Sequence, residues 1–458
     1  MMTQRIRYFF IKRQQKAKRG RTTQVIVAVF ALIIAIGTLL LMLPAASRSG
    51  RSCGVLTAFF TATSATCVTG LVAGDTYTLW STFGQVVIIC LIQIGGLGFV
   101  TIASMVSMML KRKIDLRQRL IIAQSYNVSG LEGLVRLVRH VVIATFSFEF
   151  AGAVLLSVRF VPQFGWAGGI ARGVFHSVSA FCNAGFDILG SVSPGASLIP
   201  YATDPLVCLT VAALVILGGL GFFVWEDIYN NKGFRNLRLH TKLVLTISAG
   251  LMAAGTVFFF FQESGNTMAG MNFGQRLLAS FFQSVTLRTA GFAAIDQGQL
   301  TDASKMLSIV LMLIGGSPGS TAGGVKTVTV GIMVLSCIAS LRGKKHVTAF
   351  GRTITQEQIS SATSLFLTVT GLAVAGAVFI SATSGLGVLD TLFETVSALA
   401  TVGLTTGITG SLNPVSMVLI AIYMFFGRVG VMTIGIALML GDKGNEELKY
   451  ADGHVFIG

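Results

Sequence analysis

Four stretches of the 458-residue chain each carry a phenylalanine, a run rich in hydroxyl side chains, and a glycine ten residues on. They read Phe60-TATSATCVT-Gly70, Phe175-HSVSAFCNA-Gly185, Phe281-FQSVTLRTA-Gly291 and Phe393-ETVSALATV-Gly403, with a Leu or Phe after each glycine. A Ser or Thr recurs midway, at Thr63/Ser64, Ser177/Ser179, Ser284/Thr286 and Thr395/Ser397. The residues leading into the glycines are Cys67-Val68-Thr69, Cys182-Asn183-Ala184, Arg288-Thr289-Ala290 and Ala400-Thr401-Val402. The chemistry such segments offer belongs to the backbone. Glycine reaches conformations closed to other residues, so a short helix ending in such a stretch can aim its carbonyl oxygens one way. Four of them around an axis can replace a cation's hydration shell, with the negative ends of four short helices turned to the centre. Close helix packing through small residues explains one or two such matches, but not four in one order.

Stepping outward, each stretch lies between two apolar runs. The chain is 53% apolar and only 11% charged, against about 25% charged in an ordinary soluble domain. Runs near 23–43, 80–110, 135–160, 205–228, 241–261, 302–340, 360–381 and 411–440 approach or exceed the roughly 20 residues a crossing needs. That predicts an all-α membrane protein of eight transmembrane helices, arranged as four tandem helix–pore-loop–helix repeats around a central pore. The first run is too long for a signal-peptide core and is read as a retained span. The expected divisions are a basic arm (1–22), repeats at 23–111, 112–231, 232–345 and 346–441, and a tail (442–458).

The net charge of +16 does not indicate nucleic acid, because its distribution is topological. Of 34 Lys and Arg residues, 25 fall in segments on the side of the termini and seven on the other, which places both termini in the cytoplasm. Cys67, Cys90, Cys182, Cys208 and Cys337 lie in apolar or pore-like segments, and Cys53 alone reads as freely exposed. Asp75, Asp187 and Asp296 follow three of the loops. They either concentrate cations at an outer mouth or are ordinary loop acids.

A second repeated element follows each filter-like glycine: Gly95-Gly-Leu-Gly98, Gly218-Gly-Leu-Gly221, Gly315-Gly-Ser-Pro-Gly319 and Gly427-Arg-Val-Gly430. With its four loops, glycine filter and Gly-Gly-Ser-Pro-Gly break, the whole chain resembles the Ktr/Trk/HKT superfamily of potassium transporters. Eight spans without an extra N-terminal pair are most similar to the bacterial KtrB-type membrane subunit. That resemblance implies potassium uptake, with K+ held at carbonyls near Gly70, Gly185, Gly291 and Gly403. Glycine rather than serine at position 70 implies potassium over sodium. It further implies coupling to Na+, a homodimer, and a cytoplasmic ring of RCK-domain subunits (KtrA-like) that carries ATP/ADP or NAD(H), since this chain shows no nucleotide motif and no cofactor of its own. The basic loops at 111–119, 232–242 and 342–352 could face that ring or anionic lipids.

Within the sixth run, Gly315-Gly316-Ser317-Pro318-Gly319-Ser320-Thr321 and the glycines to Gly324 should break the helix below the filter, with Lys326 just beyond. In the family this stretch is an intramembrane loop that obstructs the pore, and an arginine at the position of Arg428 acts as an electrostatic barrier beside it. Arg288 should point away from the ion and brace its loop. Glu149 reads as a buried partner for a cation or as a packing residue, His176 as a structural hydrogen-bonder, and Glu394 and His176 as residues that begin short helices. Two other functions fit less well: a sodium-passing or weakly selective channel of the same fold, and an intramembrane enzyme, for which no catalytic spacing exists.

Overall fold

The computed structural model describes residues 24–98, 101 and 134–431. The basic arm, most of the 111–139 segment and the tail, on which the predicted orientation of the termini largely rests, lie outside the described residues.

Within them the chain is helical apart from a hairpin of two-residue strands, Thr348–Ala349 and Arg352–Thr353. Its turn residues Phe350 and Gly351 both have positive φ, as a two-residue hairpin loop requires. Each repeat has a leading helix, a pore helix and a trailing helix. The leading helices are Gln24–Met42, Leu134 to the kink at Gly165, Leu239–Gln262 and Gln356–Ser384. All four are long and apolar enough to cross a membrane. The pore helices are Val55–Thr66, the stretch after Gly165 to Phe181, Phe273–Thr286 and Val388–Leu399. They begin well before the repeated phenylalanines, so His176 and Glu394 lie inside their helices, not at the starts where the sequence placed them.

The trailing helices begin at Thr82, Pro205, Asp302 and Pro414. Each is capped by the side chain just before it, from Ser81, Asp204, Thr301 and Asn413, worth about 1 kcal/mol apiece. The sequence predicts one interrupted span, the sixth. The structure interrupts every repeat: at Gly98 (φ 76°), at Gly221 (φ 97°), over Ile314–Lys326, and at Gly430 (φ 96°). At Gly221 the chain turns by 88° into Phe222–Asn230. These pieces are each shorter than a full crossing, so four described helices cross by length, or five with that bent pair.

Three apolar clusters stitch neighbouring repeats together. Ala62, Trp80 and Leu91 of repeat 1 pack with Ala184 and Phe186 of repeat 2. Phe181 and Tyr201 of repeat 2 pack with Phe282 and Phe292 of repeat 3. Phe259 and Leu287 of repeat 3 join Phe393 and Leu404 of repeat 4 and Phe60 and Leu71 of repeat 1, which closes the circle. Outside it, Leu39, Phe150, Val158 and Phe261 are 64–73% exposed. Water would not tolerate a continuous surface of that kind, and lipid does, so the protein is an integral membrane protein.

Candidate functional site

The four pore helices end in one backbone form. Two positions before each glycine, Val68, Asn183, Thr289 and Thr401 have φ of 57°, 60°, 65° and 51°, and Gly70, Gly185, Gly291 and Gly403 have φ of 101°, 68°, 80° and 90°. A left-handed conformation costs a side-chain-bearing residue roughly 1–2 kcal/mol, and here four repeats with different side chains all adopt it. Left-handed residues at alternate positions undo the strand pattern in which successive carbonyls point oppositely.

The four glycines meet in a ring. A Cβ added to Gly70 would lie 2.5 Å from the Ala184 carbonyl oxygen, one on Gly185 2.9 Å from that of Ala290, and one on Gly291 2.5 Å from that of Val402. One on Gly403 would overlap the Thr69 oxygen, 2.8 Å from Gly70 Cα. Each repeat thus touches the next, the fourth returns to the first, and the carbonyl before each glycine borders the neighbouring repeat. A side chain at any of the four would force the neighbouring strand to shift.

Two kinds of brace hold these strands. In repeats 1 and 4, Gly70 N and Gly403 N donate to the hydroxyls of Ser64 and Ser397, both at 3.1 Å. In repeats 2 and 3 the hydroxyl donates instead: Ser179 to the Phe186 oxygen at 2.7 Å and Thr286 to the Phe292 oxygen at 2.6 Å. These are the recurring Ser and Thr positions of the sequence, now with a task. Arg288 turns away from the ring and donates from Nη2 to Ser248 on its own leading helix at 2.9 Å, so only its backbone can serve the axis. Cys67, Cys182 and Ala400 are fully buried at the pore-helix ends.

Below the ring, Gly95, Gly218 and Gly427 each press on the carbonyl that ends their own pore helix, at Thr66, Phe181 and Leu399. Repeat 3 departs from this. Its Gly315 packs instead against Gly323, within the loop Ile314–Lys326. On one side the loop is sewn to repeat 2: Ser317 N and Thr321 N donate to the Gly219 and Gly218 carbonyls at 3.0 and 3.2 Å, and Phe222 N donates to Gly319 at 2.9 Å. The buried Thr321 hydroxyl is within hydrogen-bonding distance of the Phe181 carbonyl at 3.2 Å and of Asn183 Oδ1 at 3.1 Å. On the other side, Gly323 abuts the Thr401 side chain and Gly324 the Ala400 backbone. Ser320 and Thr327 close the loop on itself, the first through the Ser317 carbonyl at 2.6 Å, the second through Gly316 at 3.0 Å. Pro318 and Gly316 sit in this bend, Gly316 against Ala322 and Gly219.

Arg428 joins the parts. Its guanidinium donates to the loop carbonyl of Thr321 and to the carbonyls of Gly95 and Gly96 on the trailing helix of repeat 1, the last at 3.0 Å. Lys326 donates to the loop carbonyls of Ala322 and Gly323 at 2.6 and 3.4 Å. The predicted gate residues therefore converge directly beneath the predicted filter. What the sequence did not reveal is the Thr321–Asn183 link, because no spacing marks residues 138 positions apart.

Other predictions fare unevenly. Glu149 meets the amide of Gln93 at 3.3 Å and the Cys182 thiol at 3.9 Å, with no cation paired to it among the described residues. His176 is a structural hydrogen-bonder, between the Arg172 carbonyl at 2.7 Å and Ile188 N at 3.4 Å. Asp75 caps a short helix through Thr78 N at 2.7 Å and binds Gly195 N of repeat 2 at 3.1 Å, so it is a staple between repeats. Asp187 and Asp296 bind the amides of Leu189 and Gly298. The cysteine reading needs correction: Cys53 is half-buried, its thiol 3.7 Å from the Leu41 carbonyl, whereas Cys90 and Cys337 are exposed on helix faces.

Residues 2–443 match the family described as Cation transport protein, TrkH. The chain is 40% identical to the potassium/sodium uptake protein NtpJ of Enterococcus hirae, over 98% of this chain and 100% of that one. It is 39% identical to the Ktr system potassium uptake protein B of Bacillus subtilis, over 95% and 96%. The crystal structure of the potassium transporter TrkH from Vibrio parahaemolyticus shares the fold, with a TM-score of 0.72 over 91% of this chain and 84% of that one at 17% identity. A ring of backbone carbonyls built from four repeats, and family relatives that span nearly the whole chain, lead to one conclusion: this chain belongs to the TrkH family of cation transport proteins, transporters rather than enzymes.

Proposed function

We propose that the chain is the ion-translocating subunit of a Ktr-type potassium uptake system in the bacterial plasma membrane, with both termini cytoplasmic. The observation that carries this is the closed ring of Gly70, Gly185, Gly291 and Gly403, where a side chain would force the neighbouring strand to shift. K+ crosses at the carbonyls of the filter strands, and the 315–324 loop with Arg428 restricts passage beneath them. The guanidinium near the axis is also a positive charge that a cation must pass, so moving it and the loop together opens the path.

The two relatives named for potassium uptake by a Ktr system and for potassium/sodium uptake support potassium as the cargo, with Na+ coupled or competing. A homodimer on a cytoplasmic RCK ring, with ATP/ADP or NAD(H) on that partner, is the assembly this reading implies. Arg235, Lys242, Lys344, Lys345 and Arg352 on the described basic loops suit such a ring, and anionic lipids would use the same charges.

The test is growth of a potassium-uptake-deficient bacterium in low potassium, expressing this chain with and without a Ktr-type ring subunit. Rescue that disappears in Gly291→Asp supports the pathway. No rescue in either condition, with the protein present in the membrane, overturns potassium as cargo. A sodium-passing channel is the second reading, and the name of the Enterococcus relative favours keeping it in view. Comparing rubidium and sodium uptake separates the two.

A further inference from the structure

A small cavity lies between repeats 2 and 3, with room for about one water. Val215 of the repeat 2 trailing helix, Met252 of the repeat 3 leading helix and Val285 of its pore helix form apolar walls. Three further lining residues bear on the pathway. Arg288 comes from the filter segment of repeat 3, Gly219 from the end of the repeat 2 trailing helix, and Gly316 from the loop Ile314–Lys326. The cavity therefore touches both the filter and the loop beneath it.

Two buried donors here have no acceptor from the protein. Arg288 is 9% exposed, and its Nη2 donates to Ser248, but its Nε meets no partner. Asn183 Nδ2, on the filter segment of repeat 2, is likewise unpartnered and lies 3.6 Å from where a Cβ on Gly219 would be. Buried donors left without acceptors are costly and rare. No Asp or Glu forms an ion pair with Arg288 among the described residues. The negative end of its own pore helix offsets the charge but gives Nε no bond. Acceptors are at hand, because the Gly219 and Gly316 carbonyls accept from Ser317 N and Thr327 N, both at 3.0 Å, and a carbonyl oxygen carries two lone pairs.

We propose that a water bound in this cavity accepts from Arg288 Nε and donates to the carbonyls of Gly219 and Gly316. Arg288 is then a positioning residue with two tasks. Its Nη2 braces the filter segment on the leading helix, and its Nε holds the loop through the water. Moving the loop breaks that bridge, so the bridge favours the closed arrangement. A water suits the site better than an anion, because two of the partners are carbonyl oxygens, which repel an anion. The inference deepens the transport reading and rests on it for the flux measurement only.

The experiment uses the purified full chain as wild type, Val215→Ile, Val285→Ile, Arg288→Lys and the double variant Val215→Ile/Arg288→Lys. Crystals are measured as grown and, for the wild type, also under xenon and after a bromide soak. Rubidium uptake into liposomes is measured for every variant. The two isoleucines fill the cavity from different walls, so one serves where the other fails to fold. Density for one water should stand within about 3.2 Å of Arg288 Nε, and either isoleucine should displace it. Val215→Ile and Arg288→Lys should each raise uptake several-fold. The double variant should rise no further than the larger single one, since both changes remove the same bridge, whereas independent packing effects would add. Xenon in the cavity marks it as dry and overturns the water, and a bromide peak there does the same by putting an anion in its place. Displacement of the water with uptake unchanged overturns the tie to the loop, as do additive effects. A water present and displaced as expected, with no rubidium uptake in the wild type, keeps the site and overturns the transport reading.

Discussion

The outer and inner halves of the proposed pathway, the glycine ring and the layer of helix breaks beneath it, treat fourfold repetition in opposite ways. At the filter, four segments with different side chains adopt one backbone form, with left-handed residues at equivalent positions and glycines in mutual contact. One level down, the trailing helices of repeats 1, 2 and 4 break at a single glycine, and that of repeat 3 breaks over a thirteen-residue stretch, Ile314–Lys326, tied directly to repeats 2 and 4 and through Arg428 to repeat 1. The outer half constrains backbone and tolerates side-chain change. The inner half depends on particular side chains, Arg428 and Thr321 above all. The contrast suits the proposed roles: an ion-coordinating ring needs its oxygens equivalent, while an obstruction needs only one movable part.

Breaking the outer half should have the largest effect. In Gly291→Asp the new Cβ meets the Val402 oxygen, and rubidium uptake should fall to background. In Gly70→Ser the left-handed backbone costs about 1–2 kcal/mol, and the side chain crowds the Ala184 oxygen. The preference for potassium over sodium should drop about tenfold or more, the equivalent of about 1.4 kcal/mol, as read from paired ion fluxes. Retained selectivity in Gly70→Ser would mean the ring is a packing contact and not the filter.

The inner half should respond in the other direction. Arg428→Ala removes charge-assisted hydrogen bonds to the loop and to repeat 1. Losing about 2 kcal/mol of such bonding shifts a closed–open equilibrium roughly thirty-fold, so uptake should rise, and removing residues 315–324 should do the same. Unchanged flux in both variants would reduce the loop to a kink. Thr321→Val loses a neutral hydroxyl bond worth ~1 kcal/mol, about five-fold in the same equilibrium, and should raise flux less than Arg428→Ala.

The smallest effect lies at the inner rim, away from both halves. Burial pushes the Asp227 carboxyl up, but hydrogen bonds from Thr241, the Arg238 amide and Asn231 outweigh it and hold the group below the usual range. A depressed carboxyl stabilises the fold above its unfolded pKa of about 3.9, and that contribution is lost as pH falls through the folded value. Asp227→Asn should therefore unfold at a lower temperature than the wild type near neutral pH, with the gap closing in acid. Flux at neutral pH should stay near normal.

The sequence exposed the outer half almost entirely, because its signal is repetition. Four Phe-to-Gly intervals in one order mark the short helices, and a Ser or Thr between them hydrogen-bonds the backbone at or just beyond each glycine. It exposed the inner half only as composition: a proline and a small polar run where the aligned positions of the other repeats have neither. The loop's partners stayed hidden because Asn183 and Arg428 come from two other repeats, and contacts at such separation leave no periodicity. The breaks at Gly98, Gly221 and Gly430 were present as an aligned motif, but a single glycine in an apolar run also suits a continuous helix. Glu394 was seen as a helix-start residue because the phenylalanine before it marks the repeat, whereas the helix begins at Val388, where Gly387 offers no side-chain cap to mark the start.

Placing all four filter strands on one polypeptide has a consequence for how such a pore can change over generations. In a ring of four identical subunits, any substitution is made four times, so a loop beneath one strand would appear beneath all and collide at the axis. Here the strands come from separate stretches of one chain, so repeat 3 can gain a long loop and repeat 4 an arginine and a buried acid while the other strands keep their form. Duplication followed by divergence lets one quarter of the pore be altered at a time.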